Sequence, residues 1–318
     1  MTSANRVSLL IPLLLLGGCQ RDALAPGSDS SARGPSFAAS GTAPANPAIA
    51  FGKGSDLVVM NADGTNQAAL TSTVPGGQPL PSWAPFGTGA VTNPYAIVFE
   101  SNLCQISRID VVVVNGTPQG SHLTSLPTTS NACHPAWSPL GSEIAFGEAF
   151  TDQPPSSLWV MPAQGGTQVG LYHAPSGFVV RSPTWSPDGA RIAFEEQNEA
   201  TRASAIKIVD RATGTPSTVL QLGAGLVVKG LDWARTKDVV AYSVVPFTGG
   251  DEIIYTLSLN PVGAPTRVTS GTGPSWSPDD SKLVFRSGTA PKIAVIDLAT
   301  ARITRLTTAG AWPDWRRF

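Results

Sequence analysis

The sequence is poor in the residues that most often announce chemistry. It holds three cysteines and three histidines in 318 residues. Cys19, Cys104 and Cys133 have no C-x-x-C spacing, which argues against a redox motif or a zinc knuckle. His122, His134 and His173 lie apart, with no adjacent carboxylate pattern, so no metal site is expected. There is no G-x-S-x-G elbow, H-E-x-x-H pair, P-loop or dinucleotide fingerprint, so neither catalysis nor a cofactor is implied. A net charge of −1 removes the electrostatic case for nucleic acid. No segment keeps a 3.6-residue apolar period over helical length. The ten-residue apolar run at 7–16 is too short to span a bilayer.

What is present is turns and short apolar runs. The apolar fraction, 42%, allows a substantial core, while 28 prolines and 32 glycines suit many tight corners. One unit recurs. Pro183-Thr184-Trp185-Ser186-Pro187-Asp188-Gly189 leads into Ile192-Ala193-Phe194. Proline presets φ for the corner, aspartate bonds its own backbone, and glycine accepts positive φ, so the unit is a hairpin. Copies stand at Pro81-Ser82-Trp83-Ala84-Pro85, Pro135-Ala136-Trp137-Ser138-Pro139 and Pro274-Ser275-Trp276-Ser277-Pro278, with a worn one at Asp232-Trp233. The turn chemistry lapses at 233–237, where a looser corner is expected, and Asp280 replaces the turn glycine.

The tryptophans at 83, 137, 185, 233, 276 and 315 are 54, 48, 48, 43 and 39 residues apart. A period near 40 to 50 made of short strands is the signature of propeller blades. The W-S-P-D-G-x-x-I-A-F unit resembles the TolB-type β-propeller repeat over nearly everything after residue 47. The expected fold is all-β, a six-bladed propeller of four-stranded antiparallel blades. Its first blade takes three strands from 48–71 and its innermost strand from Ala311-Trp312-Pro313-Asp314-Trp315, which removes the exposed edge. The remaining blades end near 126, 172, 222, 269 and 308. The recurrent tryptophans are expected to be buried between blades.

Residues 1–18 form a secretory signal: Arg6, an apolar run, then Leu16-Gly17-Gly18-Cys19. That ending resembles the bacterial lipoprotein cleavage box, which implies cleavage before Cys19 and its lipidation. Gln20 in place of Asp implies, in that family's sorting rule, the outer membrane facing the periplasm. In 20–47, nineteen of 28 residues are Ala, Ser, Pro or Gly, so 19–47 is expected to be a disordered tether. As a coil it reaches about 30 Å, and ~90 Å fully extended. The propeller domain is 48–318.

With Cys19 assigned to lipid, Cys104 and Cys133 fall on one face of adjacent blades, and an exported compartment permits a disulfide between them. Such a bridge stabilises by about 3.5 kcal/mol in the chain-entropy account. Loops after the second strand are short in blades one and six, near Lys53 and Arg286, and long at 101–108, 147–156, 195–204 and 244–252. The long ones carry Glu100, Glu148, Asp152, Glu195, Glu196, Glu199, Asp251 and Glu252, while blade-entry segments bring His134, His173, Arg181 and Lys229 to the channel mouth. The repeated Ser-Pro-Asp is turn chemistry, because a catalytic site is needed once rather than at every blade. The expectation is a monomeric, lipid-tethered scaffold that binds an envelope protein or cell-wall component through this face. The TolB resemblance implies envelope partners of the same kind. A rival expectation is a small-ligand, glycan or peptide site at the mouth, with His134, His173, Arg181 and Lys229 and with Glu148 or Glu195 as acid or base.

Overall fold

The computed structural model describes residues 47–72, 79–85, 95–101, 104–128, 131–148, 156–288 and 292–317. The expected signal, Cys19, nearly all of the expected tether and Asp152 lie outside the described residues. The described chain forms six four-stranded antiparallel sheets. In blade one the order is Ala311–Trp315, Ile49–Lys53, Asp56–Met60, Ala68–Ala69, so the last strand of the chain is the innermost strand of the first blade. Ile49 pairs with Trp315 and Ala50 with Asp314. The other inner strands are Pro81–Trp83, Ala132–Trp137, Phe178–Trp185, Leu226–Trp233 and Thr272–Trp276.

The core lies between blades. Trp83, Trp137, Trp185, Trp233 and Trp276 are buried, and each packs on aliphatic residues of its own and a neighbouring sheet. Trp315 joins Ile49, Phe51 and Met60 of blade one to Val284, Ile293 and Val295 of blade six. That cluster closes the ring hydrophobically where the chain itself is open.

A second bond closes it with polar geometry. Each inner strand carries a bulge three residues before its tryptophan in five blades. His134, Ser182, Gly230, Gly273 and Trp312 there have φ of 54°, 48°, 71°, 62° and 53°. The next residue is Pro135, Pro183, Pro274 or Pro313, with Leu231 in blade five. Proline is tolerated there because a bulge needs no ladder donor. The residue before the tryptophan then points to the next blade and accepts that blade's tryptophan N–H. Ser82 Oγ takes Trp137 (3.0 Å), Thr184 Oγ1 takes Trp233 (3.1 Å), and Asp232 Oδ2 takes Trp276 (2.8 Å). Ser275 Oγ takes Trp315 (3.0 Å), and Asp314 Oδ2 takes Trp83 (2.8 Å). At the sixth joint, between blades three and four, the residue is Ala136. It has no side-chain acceptor, and its carbonyl instead accepts Trp185 Nε1 at 3.0 Å.

The expected loose corner at 233–237 is tight. Asp280 of blade six accepts the N–H groups of Arg235 (2.6 Å) and Thr236 (2.8 Å) and the Thr236 hydroxyl (2.7 Å). The two departures from the repeat compensate each other: the residue replacing glycine supplies the acceptor that the neighbouring turn lacks. Asp280 itself sits at φ 55°, which aspartate tolerates.

Three stability outcomes follow from these bonds. Thr184→Val keeps shape but strips an acceptor from Trp233, and should cost about 1–3 kcal/mol. Ala136→Ser supplies the sixth acceptor and should gain about 0.5–1.5 kcal/mol. Asp280→Gly relieves the backbone yet should destabilise by about 2 kcal/mol, because three hydrogen bonds outweigh one strained φ. Urea unfolding measures all three; a neutral Thr184→Val would remove the joint from the account.

Candidate functional site

The bulges place five side chains or glycine α-carbons around the channel mouth, and the residues before the tryptophans form its floor. The cavity, about 110 Å³, is lined from all six blades, including His134, Ser182, Gly273, Trp312, Asp314 and Arg317. Gly230 and Gly273 are required here. A Cβ on Gly230 would sit 2.6 Å from the Gly273 α-carbon, and a Cβ on Gly273 would sit 3.1 Å from the Trp312 ring. The indole therefore lies over Gly273, half-buried at the rim. Lys229 Nζ is 5.9 Å from its centroid, within cation–π range.

The floor is ionic and buried. Arg235 donates to Asp232 (2.9 Å), to Ser275 Oγ (3.3 Å) and to the carbonyls of Trp276 (3.2 Å) and Trp315 (3.3 Å). One guanidinium thus ties blades five, six and one. Arg317 Nη2 lies 4.0 Å from Asp232. Burial, opposed by Arg235 and reinforced by Asp232, pushes the Asp314 carboxyl up to about 6. Burial and the neighbouring Arg235 bring Arg317 down to about 10.

Four of the expected site residues are linked electrostatically, Arg181 with His134 and Glu195, and Lys229 with Glu195, and of these His134 lines the cavity. Glu195 is buried, accepts the Ser204 hydroxyl at 2.6 Å, and feels both Arg181 and Lys229. Burial nevertheless wins and lifts its carboxyl to about 7. His134 is lowered to about 4 by burial and by Arg181. Its backbone N–H donates to Glu100 Oε2 at 3.0 Å, and its ring Nδ1 is buried without a hydrogen-bond partner. Arg181 also reaches Glu199 at 3.7 Å and bonds Gln197. Glu199 in turn pairs with Arg202 (2.7 Å), whose guanidinium covers exposed Phe247 at 4.9 Å.

The other expected residues lie elsewhere. His173 belongs to the outer strand Val169–His173 of blade three, because pairing with Ser157 extends that strand to its end. Its Nδ1 is 2.9 Å from Ser157 Oγ and its ring meets Trp159 edge-on, so it pairs within blade three rather than in the connector that begins at Ala174. Glu148, Glu195 and Glu196 are strand residues rather than loop residues, since Glu143–Glu148 and Arg191–Asn198 run further than expected. Neighbouring strand positions face opposite ways. Glu196 therefore turns from the mouth toward Tyr172 and Lys207, the latter at 2.7 Å. Glu148 accepts Trp159 Nε1 at 3.4 Å. Glu252 crosses from blade five to Arg286 of blade six at 3.4 Å, and Asp251 is exposed beside it. Cys104 and Cys133 are joined in a disulfide with α-carbons 4.4 Å apart.

Trp312 and the Asp232–Arg235–Asp314–Arg317 floor belong to no catalytic or metal-ligating motif of the sequence. Aligning the five Pro-x-Trp copies with Leu231-Asp232-Trp233 shows the signal for the floor: the middle position is Ser, Ala, Thr, Asp, Ser and Asp, polar in five of six. Trp312 resembled one more residue of a closing strand.

The class this geometry defines is the six-bladed β-propeller with the first blade closed by the C-terminal strand. No known family matches the sequence, and no curated protein matches it. Solved structures match its fold. TolB from Acinetobacter baumannii superposes with a TM-score of 0.63 at 17% identity over 85% of this chain and 66% of that one. The chain thus spans just under two thirds of that protein's length. A chain of a nidogen/laminin complex gives 0.66 at 12% identity over 85% and 98%. Oligogalacturonate lyase from Vibrio parahaemolyticus gives 0.54 at 11% over 86% and 84%. The likeness is one of fold: the three carry different names and roles on one scaffold.

The mouth carries a pH signature. The Glu195 carboxyl, about 7 when folded against 4.5 when free, favours folding fully at low pH. That contribution is lost as pH rises between those values, because the unfolded chain ionises first. Glu195→Gln should therefore improve relative to the wild type by about 3 kcal/mol between pH 4 and pH 8 in urea unfolding. A constant difference would show that Glu195 is charged in the fold. His134, lowered to about 4, works the other way and loses stability as pH falls from 6.5.

Proposed function

We propose that this chain is a non-enzymatic cell-envelope lipoprotein whose propeller docks an envelope protein or cell-wall component at the channel mouth. The supporting observation is a cavity lined from all six blades and floored by Asp232, Asp314 and Arg317, with Trp312 in its wall, Lys229 over that indole, and Arg181 acting on His134 of the lining. Such a rim offers charge, an aromatic face and a shallow socket on a rigid ring, the usual place for binding residues. Against catalysis, His134 meets Glu100 through its backbone and not its ring, so that carboxylate does not orient the imidazole as a base. Among the described residues no helix is long and apolar enough to cross a membrane. The lipobox at Cys19 supplies the membrane attachment in this reading, and the tether the reach.

A second reading, small-ligand, glycan or peptide binding or processing in the same mouth, draws on the cavity and on the Trp312 face. Crosslinking in intact envelopes followed by mass spectrometry separates the two. The docking reading expects a repeatable partner that is lost in a Lys229→Glu, Arg181→Glu variant, and it expects Cys19→Ser to leave the membrane fraction. No repeatable partner, together with turnover or saturable binding in a glycan and peptide screen, would favour the second reading.

A further inference from the structure

We propose that Cys104, Cys133, His134 and Glu100 form a redox-gated site for a thiophilic divalent cation of the Zn²⁺ type, closed while the disulfide is intact and opened by its reduction. The donor atoms of Glu100, Cys133 and His134 all lie within 4.8 Å of one another. Glu100 Oε1 is 3.6 Å from Cys104 Sγ, and that sulfur is bonded to Cys133. A tetrahedral zinc with sulfur at about 2.3 Å and nitrogen or oxygen at about 2.0 Å sets its ligands roughly 3.3–3.8 Å apart. The cluster needs side-chain shifts on the order of 1 Å to reach that spacing.

One feature of the oxidised protein is otherwise unexplained. The left-handed φ of His134 is the bulge conformation that Ser182 and Trp312 share, but its Nδ1 is buried with no partner. An orphaned buried ring nitrogen is a cost that a site retains when it has a use for it. The Glu100 carboxylate already fixes the His134 backbone with one oxygen, at 3.0 Å, and turns the other toward Cys104. Two thiolates, an imidazole and a carboxylate select zinc-like ions over calcium or magnesium. His134 lines the channel, which gives an ion a way in.

The gate balances chemically. A dithiol reductant gives two electrons and two protons to the Cys104–Cys133 bond and becomes a disulfide itself. The two thiols then release their protons to solvent as the cation binds. In the oxidised form only the imidazole and one carboxylate oxygen remain, too few to hold the ion. This site is independent of the docking function proposed above.

The test uses the folded chain, oxidised or reduced with a dithiol that is then removed without air, titrated with Co²⁺. The reduced protein should take one Co²⁺ per chain with thiolate-to-cobalt charge-transfer absorption, displaced by Zn²⁺, and the oxidised protein none. His134→Asn, which keeps a residue tolerant of the left-handed backbone, should weaken binding at least ~10-fold and alter the d–d spectrum. Glu100→Gln, which preserves an acceptor for the His134 N–H, should weaken it too. Equal Co²⁺ binding by oxidised protein, or reduced binding indifferent to His134→Asn, would overturn the site. Should reduction loosen the fold, thermal unfolding decides: Zn²⁺ should raise the Tm of the reduced wild type and not of His134→Asn. An equal response in both, or none in either, would overturn it.

Discussion

The structure depends on one bond repeated round a ring: a tryptophan N–H given to the short polar side chain of the preceding blade. Apolar burial between sheets supplies most of the cohesion, but it is non-directional and would tolerate blades sliding past one another. The joint bonds fix height and rotation. They are formed by serine, threonine and aspartate, whose acceptor atoms lie close to the backbone, so little rotamer freedom is lost in making them. The most consequential is Asp314 to Trp83, because it fastens the C-terminal strand to blade two across a gap of 231 residues. Hydrophobic packing of Trp315 and this one hydrogen bond turn an open row of sheets into a closed ring.

The same geometry makes the mouth. The bulge that aims each joint side chain inward lifts the residue two positions earlier into left-handed space, where glycine fits without cost. Blades five and six use glycine. Blades three, four and one place histidine, serine and tryptophan there, and those are the side chains the channel presents. Structural necessity and surface chemistry thus occupy adjacent positions in one short repeat. The ionic floor follows from the same pattern: where the joint acceptor is aspartate rather than serine, a buried charge enters, and Arg235 and Arg317 are held there to meet it.

Much of the fold was legible because its signals are local. Period, turn chemistry and the missing inner strand of blade one are all properties of short segments, and the six-blade ring with shared first blade emerges from them. The corner at 233–237 reads as loose from sequence because its acceptor, Asp280, is supplied by a different blade. The strands Glu143–Glu148 and Arg191–Asn198 read as shorter than they are because charged residues look like loop, while in the structure they lie on ladders that run to the rim. His173 reads as a connector residue for the same reason. The mouth was partly legible: His134, Arg181, Glu195 and Lys229 converge, whereas Glu196, Glu148 and Glu252 turn to partners within or between blades. Facing direction depends on register, and register is set by the bulges.

Native-state hydrogen exchange at the six recurrent tryptophan amides tests the joint ring most directly. The account predicts that the amides of Trp83, Trp137, Trp233, Trp276 and Trp315 exchange together, at the free energy of global unfolding, and that the Trp185 amide, facing Ala136, exchanges faster. Five amides exchanging at unrelated rates, or Trp185 as protected as the others, would contradict it.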